Sequence, residues 1–187
     1  MDIFSHGLWS AIGAKGINNY QGKRRVNVWA AFLWGMFPDL FAFSIPFFFI
    51  VGSVIFGAGH FGDFGPPHVG EPMGRDSMWM FQLSSSLYNI SHSLFVFSLV
   101  FLGVWAYFKQ ARLELLGWLL HIVMDVPTHT YAFFPTPVFW PFFDWKFDGM
   151  HWGQAWFLLL DYSLLLLFYA YLWKPKFRKR NKFSTTE

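Results

Sequence analysis

Long apolar runs, interrupted by basic clusters and two loops of unusual composition, set the pattern of this chain. Between Val26 and Gly62 the only formal charge is Asp39, and between Ser77 and Phe108 there is none. About 20 such residues are enough to cross a hydrocarbon core. The pattern predicts four segments able to cross or enter a bilayer, at about 27–57, 77–108, 112–126 and 152–173, preceded by a short N-terminal helix over about 2–15. Pro38 reads as a break in the first segment, with Pro46 a second candidate, because proline removes a donor and crowds the preceding turn. Pro127 is expected to end or kink the third. The loop 57–76, rich in Gly and Pro, reads as irregular. The stretch 132–151 crowds Phe and Trp around Pro135, Pro137 and Pro141, which suits a non-helical segment at headgroup level.

The fold class that follows is all-α: a polytopic integral membrane bundle, one domain over 1–173, with a basic tail over 174–187. Composition agrees, since only 13% of residues are charged where a soluble domain carries about 25%. Residues Met1 to His6 lack a basic n-region and a long apolar core, so they read as part of the fold and not as a cleaved signal peptide. Lys15, Lys23 to Arg25, Lys109, Arg112 and the run from Lys174 to Lys182 carry the segregated positive charge. The positive-inside rule puts these in the cytoplasm and both loops on the far side, giving a multi-pass protein of the cytoplasmic membrane with its C-terminus inside. Membrane lipids are the expected partners and nucleic acid is not. The basic tail reads first as a topology signal and only second as an anionic-lipid contact.

Ionisable residues left inside the apolar segments carry the chemistry. They are His6, Asp39, His92, His121, Asp125 and Asp161, with His129 just beyond Pro127. Such groups are costly in lipid and mark functional sites by default. Counted from the nearest basic anchor, His6 and His121 lie about 14 Å deep, Asp39, Asp125 and Asp161 about 20 Å, and His92 about 26 Å. Five chain segments therefore bring a polar group near mid-membrane or into the outer half. His121 and Asp125 are four apart and share a helix face. They can bind one metal, or Asp125 can orient the imidazole. His129 and Asp161 are secondary candidates. Without cysteine there are no thiolate ligands, and mixed imidazole and carboxylate donors suit Zn²⁺ first, with Mn²⁺ or Fe²⁺ compatible. No nucleophile elbow, P-loop, dinucleotide fingerprint or HExxH is present. Ser91 and Ser93, flanking His92, read as packing hydrogen bonders.

The order Ser5-His6-Gly7, Pro38-Asp39, Ser91-His92-Ser93 and Gly117-Trp118-Leu119-Leu120-His121 with Asp125, then an aromatic stretch ending Phe139-Trp140-Pro141, resembles one family. It is that of the membrane-bound metal-dependent hydrolases, including the LexA-regulated, YdjM-like bacterial inner-membrane proteins. The likeness runs from His6 to about Phe143. It implies that His6, Asp39, His92, His121 and Asp125 hold the metal. It also implies hydrolysis of an ester or phosphoester, on a lipid-linked or amphipathic substrate, by a metal-activated water with Asp39 or Asp125 as ligand or base. The order also resembles, over less, that of soluble zinc-dependent phospholipases C. Phe41, Ala42 and Leu87 stand where the family often has further Asp and His residues, so a second metal site is not implied. A loop histidine, His60, His68 or His151, is a possible substitute. The alternative is a non-catalytic membrane protein, such as an ion or small-molecule transporter using the same cluster.

The absence of native cysteine makes the orientation directly testable. A cysteine replacing Ser184 is expected to resist a membrane-impermeant maleimide in intact cells, and one replacing Gly65 to react. The reverse labelling would overturn the orientation.

Overall fold

The computed structural model describes residues 1–22, 25–59 and 79–174, apart from the side chain of Phe81. Lys23, Arg24, most of the loop 57–76 with His60 and His68, and the tail beyond Lys174 lie outside the described residues. The described chain is all-helical: α1 Ile3–Gln21, α2 Val28–Ile55, α3 Trp79–Ser91, α4 Leu94–Phe108, a 3₁₀ turn Leu113–Leu115, α5 Leu116–Thr128 and α6 Ala155–Leu172. Residues 132–151 carry no helix, in keeping with their prolines.

α1 starts where the Asp2 carboxylate accepts from Ser5 N at 3.0 Å and ends at Gly22 in the left-handed region, φ 63°. It is longer than its sequence suggests. Asn18 explains how the turn beyond Lys15 is held, because its side chain bonds Val26 O at 2.8 Å, Arg25 N at 2.8 Å and Val26 N at 3.0 Å. The connection to α2 is thereby folded back onto α1.

Two expectations about breaks are corrected. α2 runs unbroken through Pro38 and Pro46. Neighbouring helices donate to backbone carbonyls on either side of Pro38 and hold the helix there. His121 Nδ1 lies 2.7 Å from Gly35 O, and Ser91 Oγ donates to Pro38 O at 3.1 Å. The stretch 77–108, by contrast, is interrupted where no proline stands. Gln82–Ser91 and Leu94–Phe108 meet at 56°, because the Ser93 hydroxyl accepts from Phe95 N at 3.1 Å and Val96 N at 3.3 Å and so starts a new helix. Pro127 lies in the last turn of α5, which ends one residue later at Thr128, as the proline leads one to expect.

Among the described residues two helices, α2 and α6, are long and apolar enough to cross a membrane, and three spans result if the bent pair α3 and α4 counts as one. α5, at 13 residues, reaches only about 20 Å against the ~30 Å of a hydrocarbon core. The outer surface suits lipid. Phe48 on α2 is 70% exposed and Leu159 and Leu166 on α6 are 73% and 71% exposed, among many other exposed apolar side chains, far more than a water-soluble monomer leaves uncovered.

Inside, the bundle closes on small residues. A Cβ on Gly35 would lie 2.7 Å from His6 O and collide with Ser10, and one on Gly117 would collide with Ala31 O and lie 3.0 Å from Gly35 N. α1, α2 and α5 thus touch almost backbone to backbone. Beside this contact Trp118 stacks on Trp34 with centroids 6.1 Å apart and packs with Phe97, Leu115 and Ile122, joining α5 to α2 and α4.

Gly117→Ala is expected to lower stability by about 1–3 kcal/mol, since the colliding atom is backbone and cannot move aside. Gly103→Ala, where a Cβ meets nothing within 4 Å, is the control and should melt at or above the wild type in detergent. Equal melting of the two variants would contradict the close approach of α5 to α2.

Candidate metal centre

The close-packed glycines lie one helical turn from the polar residues. Gly35 precedes Asp39 by four residues, Gly117 precedes His121 by four, and Gly7 follows His6. His92 comes from the break between α3 and α4. Asp39 Oδ1, His92 Nε2, His121 Nε2 and Asp125 Oδ2 converge on one point deep in the bundle, and this buried group has the donors to hold a metal ion.

The distances have a definite form. His92 Nε2 and His121 Nε2 are 3.0 Å apart. Each lies 3.2 Å from Asp125 Oδ2 and 3.6 Å from Asp39 Oδ1. A tetrahedral ion with donors at about 2.0–2.1 Å has edges of ~3.3 Å. Five edges of the four-atom figure therefore scatter about the tetrahedral value.

Tautomers sharpen the point. His121 Nδ1 faces Gly35 O at 2.7 Å, and His92 Nδ1 faces Tyr88 O at 3.1 Å. Carbonyl oxygens only accept, so both Nδ1 atoms carry hydrogen. His92 Nδ1 is also 2.9 Å from Ser91 Oγ, whose own proton goes to Pro38 O. In neutral rings both Nε2 lone pairs then point at each other and at two carboxylates. Positive charge must sit among four acceptors, either as protons on the imidazoles or as a cation. Asp125 Oδ2, fully buried, has no hydrogen-bond donor of its own. The backbone carbonyls behind the rings, accepting from Nδ1–H, are the contacts that orient metal-ligating histidines generally.

His6 and His129 occupy the far side of Asp125. His6 Nε2 lies 2.8 Å from Asp125 Oδ1, and its ring stacks on His121 with centroids 3.7 Å apart. Neither ring nitrogen of this fully buried residue makes a well-aligned hydrogen bond. His129 Nδ1 is 3.3 Å from the same oxygen, because α5 stays helical through Pro127. The Met1 nitrogen is 2.9 Å from it. Of the five residues expected as ligands, four share one point and His6 touches the opposite carboxylate oxygen.

Asp161 stands apart. It accepts from Ser5 Oγ and, at 2.8 Å, from Trp9 Nε1, and so ties α6 to α1 beside His6. His151 is exposed and accepts from Gly153 N at 3.1 Å, outside the cluster. Where Phe41, Ala42 and Leu87 replace polar residues of the resembled family, Ala42 and Leu87 pack with Tyr88 and Phe134 in an apolar cluster. Ser91 and Ser93 act as packing and capping groups: Ser93 Oγ also donates to Trp140 O at 2.5 Å.

Three contributors carry little sequence signal. Tyr88 stacks on His92 with centroids 3.7 Å apart. Trp118 Nε1 donates to Ser91 O at 2.6 Å, fixing the break beside His92. Gly149 brings the aromatic stretch back to α5, where its N–H donates to His129 O at 2.8 Å and a Cβ would lie 2.8 Å from the same oxygen. A Tyr one turn before a buried His was a findable signal; the other two depend on long-range contacts. Comparison with protein-family models, with curated proteins and with solved structures yields no match to this chain.

Asp161→Ala is expected to lower stability by about 1–3 kcal/mol, seen as a lower melting temperature, because it strands the Ser5 hydroxyl and the Trp9 indole N–H, while leaving the metal content of the purified protein unchanged. Loss of metal from this variant would move Asp161 into the centre.

Proposed function

We propose that this protein is a membrane-embedded, metal-dependent hydrolase acting on an ester or phosphoester bond of a lipid-linked or amphipathic substrate that enters laterally. The observation that carries this reading is the convergence of three buried donors, His92, His121 and Asp125, 3.0–3.2 Å apart, with Asp39 farther off on the fourth side, the pattern of three ligands with an open position. When bound, a divalent metal, Zn²⁺ first, supplies an electrophile for the phosphoryl or carbonyl oxygen and an acidified water. His92, His121 and Asp125 are the anchoring ligands, each fully buried. Asp39 is 5% exposed and sits 3.6 Å from both imidazoles. That looser, outermost position suits the group that takes the proton from the attacking water. His6, against Asp125 Oδ1 and stacked on His121, holds both in place.

The resemblance to YdjM-like membrane-bound hydrolases gives independent support, because the residues it singles out include all four of the converging group. Placement in the cytoplasmic membrane with the basic tail inside, and a count of four membrane segments, the even number that returns the tail to the side of the other basic clusters, belong to the same proposal and rest on the distribution of Lys and Arg.

Protein purified without chelator is expected to carry about one transition-metal ion per chain by elemental analysis. His121→Ala should lose most of it and His151→Ala should keep it. Asp39→Asn, which keeps an oxygen donor but no base, should retain more metal than His121→Ala. It should lose about 10²–10⁴-fold in hydrolysis against a panel of phospholipids and phosphoesters. Equal metal in the two histidine variants would sink the metal assignment. Bound metal with proton-coupled flux in liposomes and no hydrolysis would assign the cluster to a transporter.

A further inference from the structure

A second feature lies at the basic end of the bundle. α1, the start of α2 and the end of α6 enclose a groove of about 1080 Å³. Leu8, Ala11, Val28 and Phe32 are among its apolar lining, and Lys15 and Lys174 are its cations. Among the described residues no carboxylate lines it. The groove ends where the Phe32 ring packs on Gly7, so it stops short of His6 and is distinct from the metal centre. Lys15 is nine residues from His6, or about 14 Å along α1.

The walls are built to leave this space open. Asn19 Nδ2 donates to Leu172 O at 3.1 Å and ties α1 to α6 at the rim. Tyr169 and Trp173 stack with centroids 4.2 Å apart, and Lys15 Nζ sits 5.2 Å over the Trp173 ring. Aromatic side chains of this kind collect at headgroup level, and the cation over the indole is held at that depth. The lining combines apolar Leu8, Ala11 and Phe32 with the aromatic rings of Tyr169 and Trp173 and two lysines, the mixture that the acyl chain and phosphate of a glycerophospholipid require.

We propose that this groove binds one anionic phospholipid, its phosphate between Lys15 and Lys174 and an acyl chain along Leu8, Ala11 and Phe32. The two lysines have no acidic partner in the groove, so a phosphate is the complementary charge, and basic side chains at a membrane surface favour anionic over zwitterionic lipid. The site stands whether or not the metal centre is hydrolytic.

The test uses the full chain in mixed micelles of phosphatidylglycerol and phosphatidylcholine, with bound lipid counted by native mass spectrometry. Wild-type protein is expected to retain phosphatidylglycerol roughly tenfold in preference, on the scale of two basic groups near an anionic headgroup. The preference should fall as salt is raised. Lys15→Gln with Lys174→Gln should abolish it without changing metal content or melting in neutral detergent, whereas Lys109→Gln, outside the groove, should keep it. Equal retention of the two lipids by the wild type would overturn the proposal, as would an unchanged preference in the double variant or a dimer that excludes both lipids. If the double variant does not fold, the salt dependence of the wild-type preference decides.

Discussion

Two carboxylates buried among lipid-facing helices set the terms for everything else in this fold. An ionised group in such surroundings is tolerated only with compensating positive charge and aligned donors. Asp125 collects its partners from every direction: His92 and His121 on one oxygen, His6, His129 and the Met1 nitrogen on the other. The glycines of α2 and α5 serve this need, since only backbone-to-backbone packing brings Asp39, His6 and His121 within reach of one point. The break at His92 serves it as well, by turning an imidazole inward from a stretch that would otherwise be continuous helix.

Much of this was legible in the sequence because isolated polar residues in apolar runs are conspicuous. The i, i+4 spacing of His121 and Asp125 gave their shared face, and depth counting placed Asp39 and His92 at similar levels from separate segments. The all-helical class followed from the lengths of the apolar runs. Asp161 carried the same signal and yet turned out to serve packing, because depth says nothing about which way a side chain points. Its partners, Ser5 and Trp9, are neutral donors that no charge pattern reveals.

Helix continuity was the harder matter, and the physical reason is the same at each site. Whether a proline breaks a helix depends on what its neighbours donate. Pro38 is accommodated because donors from α3 and α5 reach the carbonyls around it, and Pro127 leaves an intact turn that carries His129 into contact with Asp125. Ser93 starts a new helix because its hydroxyl faces two free N–H groups and because Leu94 N finds Val138 O at 3.0 Å. The donors to Gly35 O and Pro38 O and the Val138 carbonyl are distant in sequence, so of these partners only the Ser93 cap and the His129 contact were local. Among the described residues the helices give two or three spans where the apolar runs predict four segments, because α5 as a helix is shorter than a hydrocarbon core.

The dispersal of the centre along the chain also bears on how the protein is made. Asp39 leaves the ribosome on α2 well before His92 or His121 exists, and at ~5–20 residues per second the wait for His121 lasts on the order of several seconds. Until α3 brings Ser91 and His92, the helix that holds the carboxylate has α1, with His6, to cover it. The early contact of α1 with α2 through Gly7, Ser10 and Gly35 is therefore a biosynthetic shelter as well as a packing motif. It keeps a charged turn of α2 against protein until α5 arrives with the rest of the site.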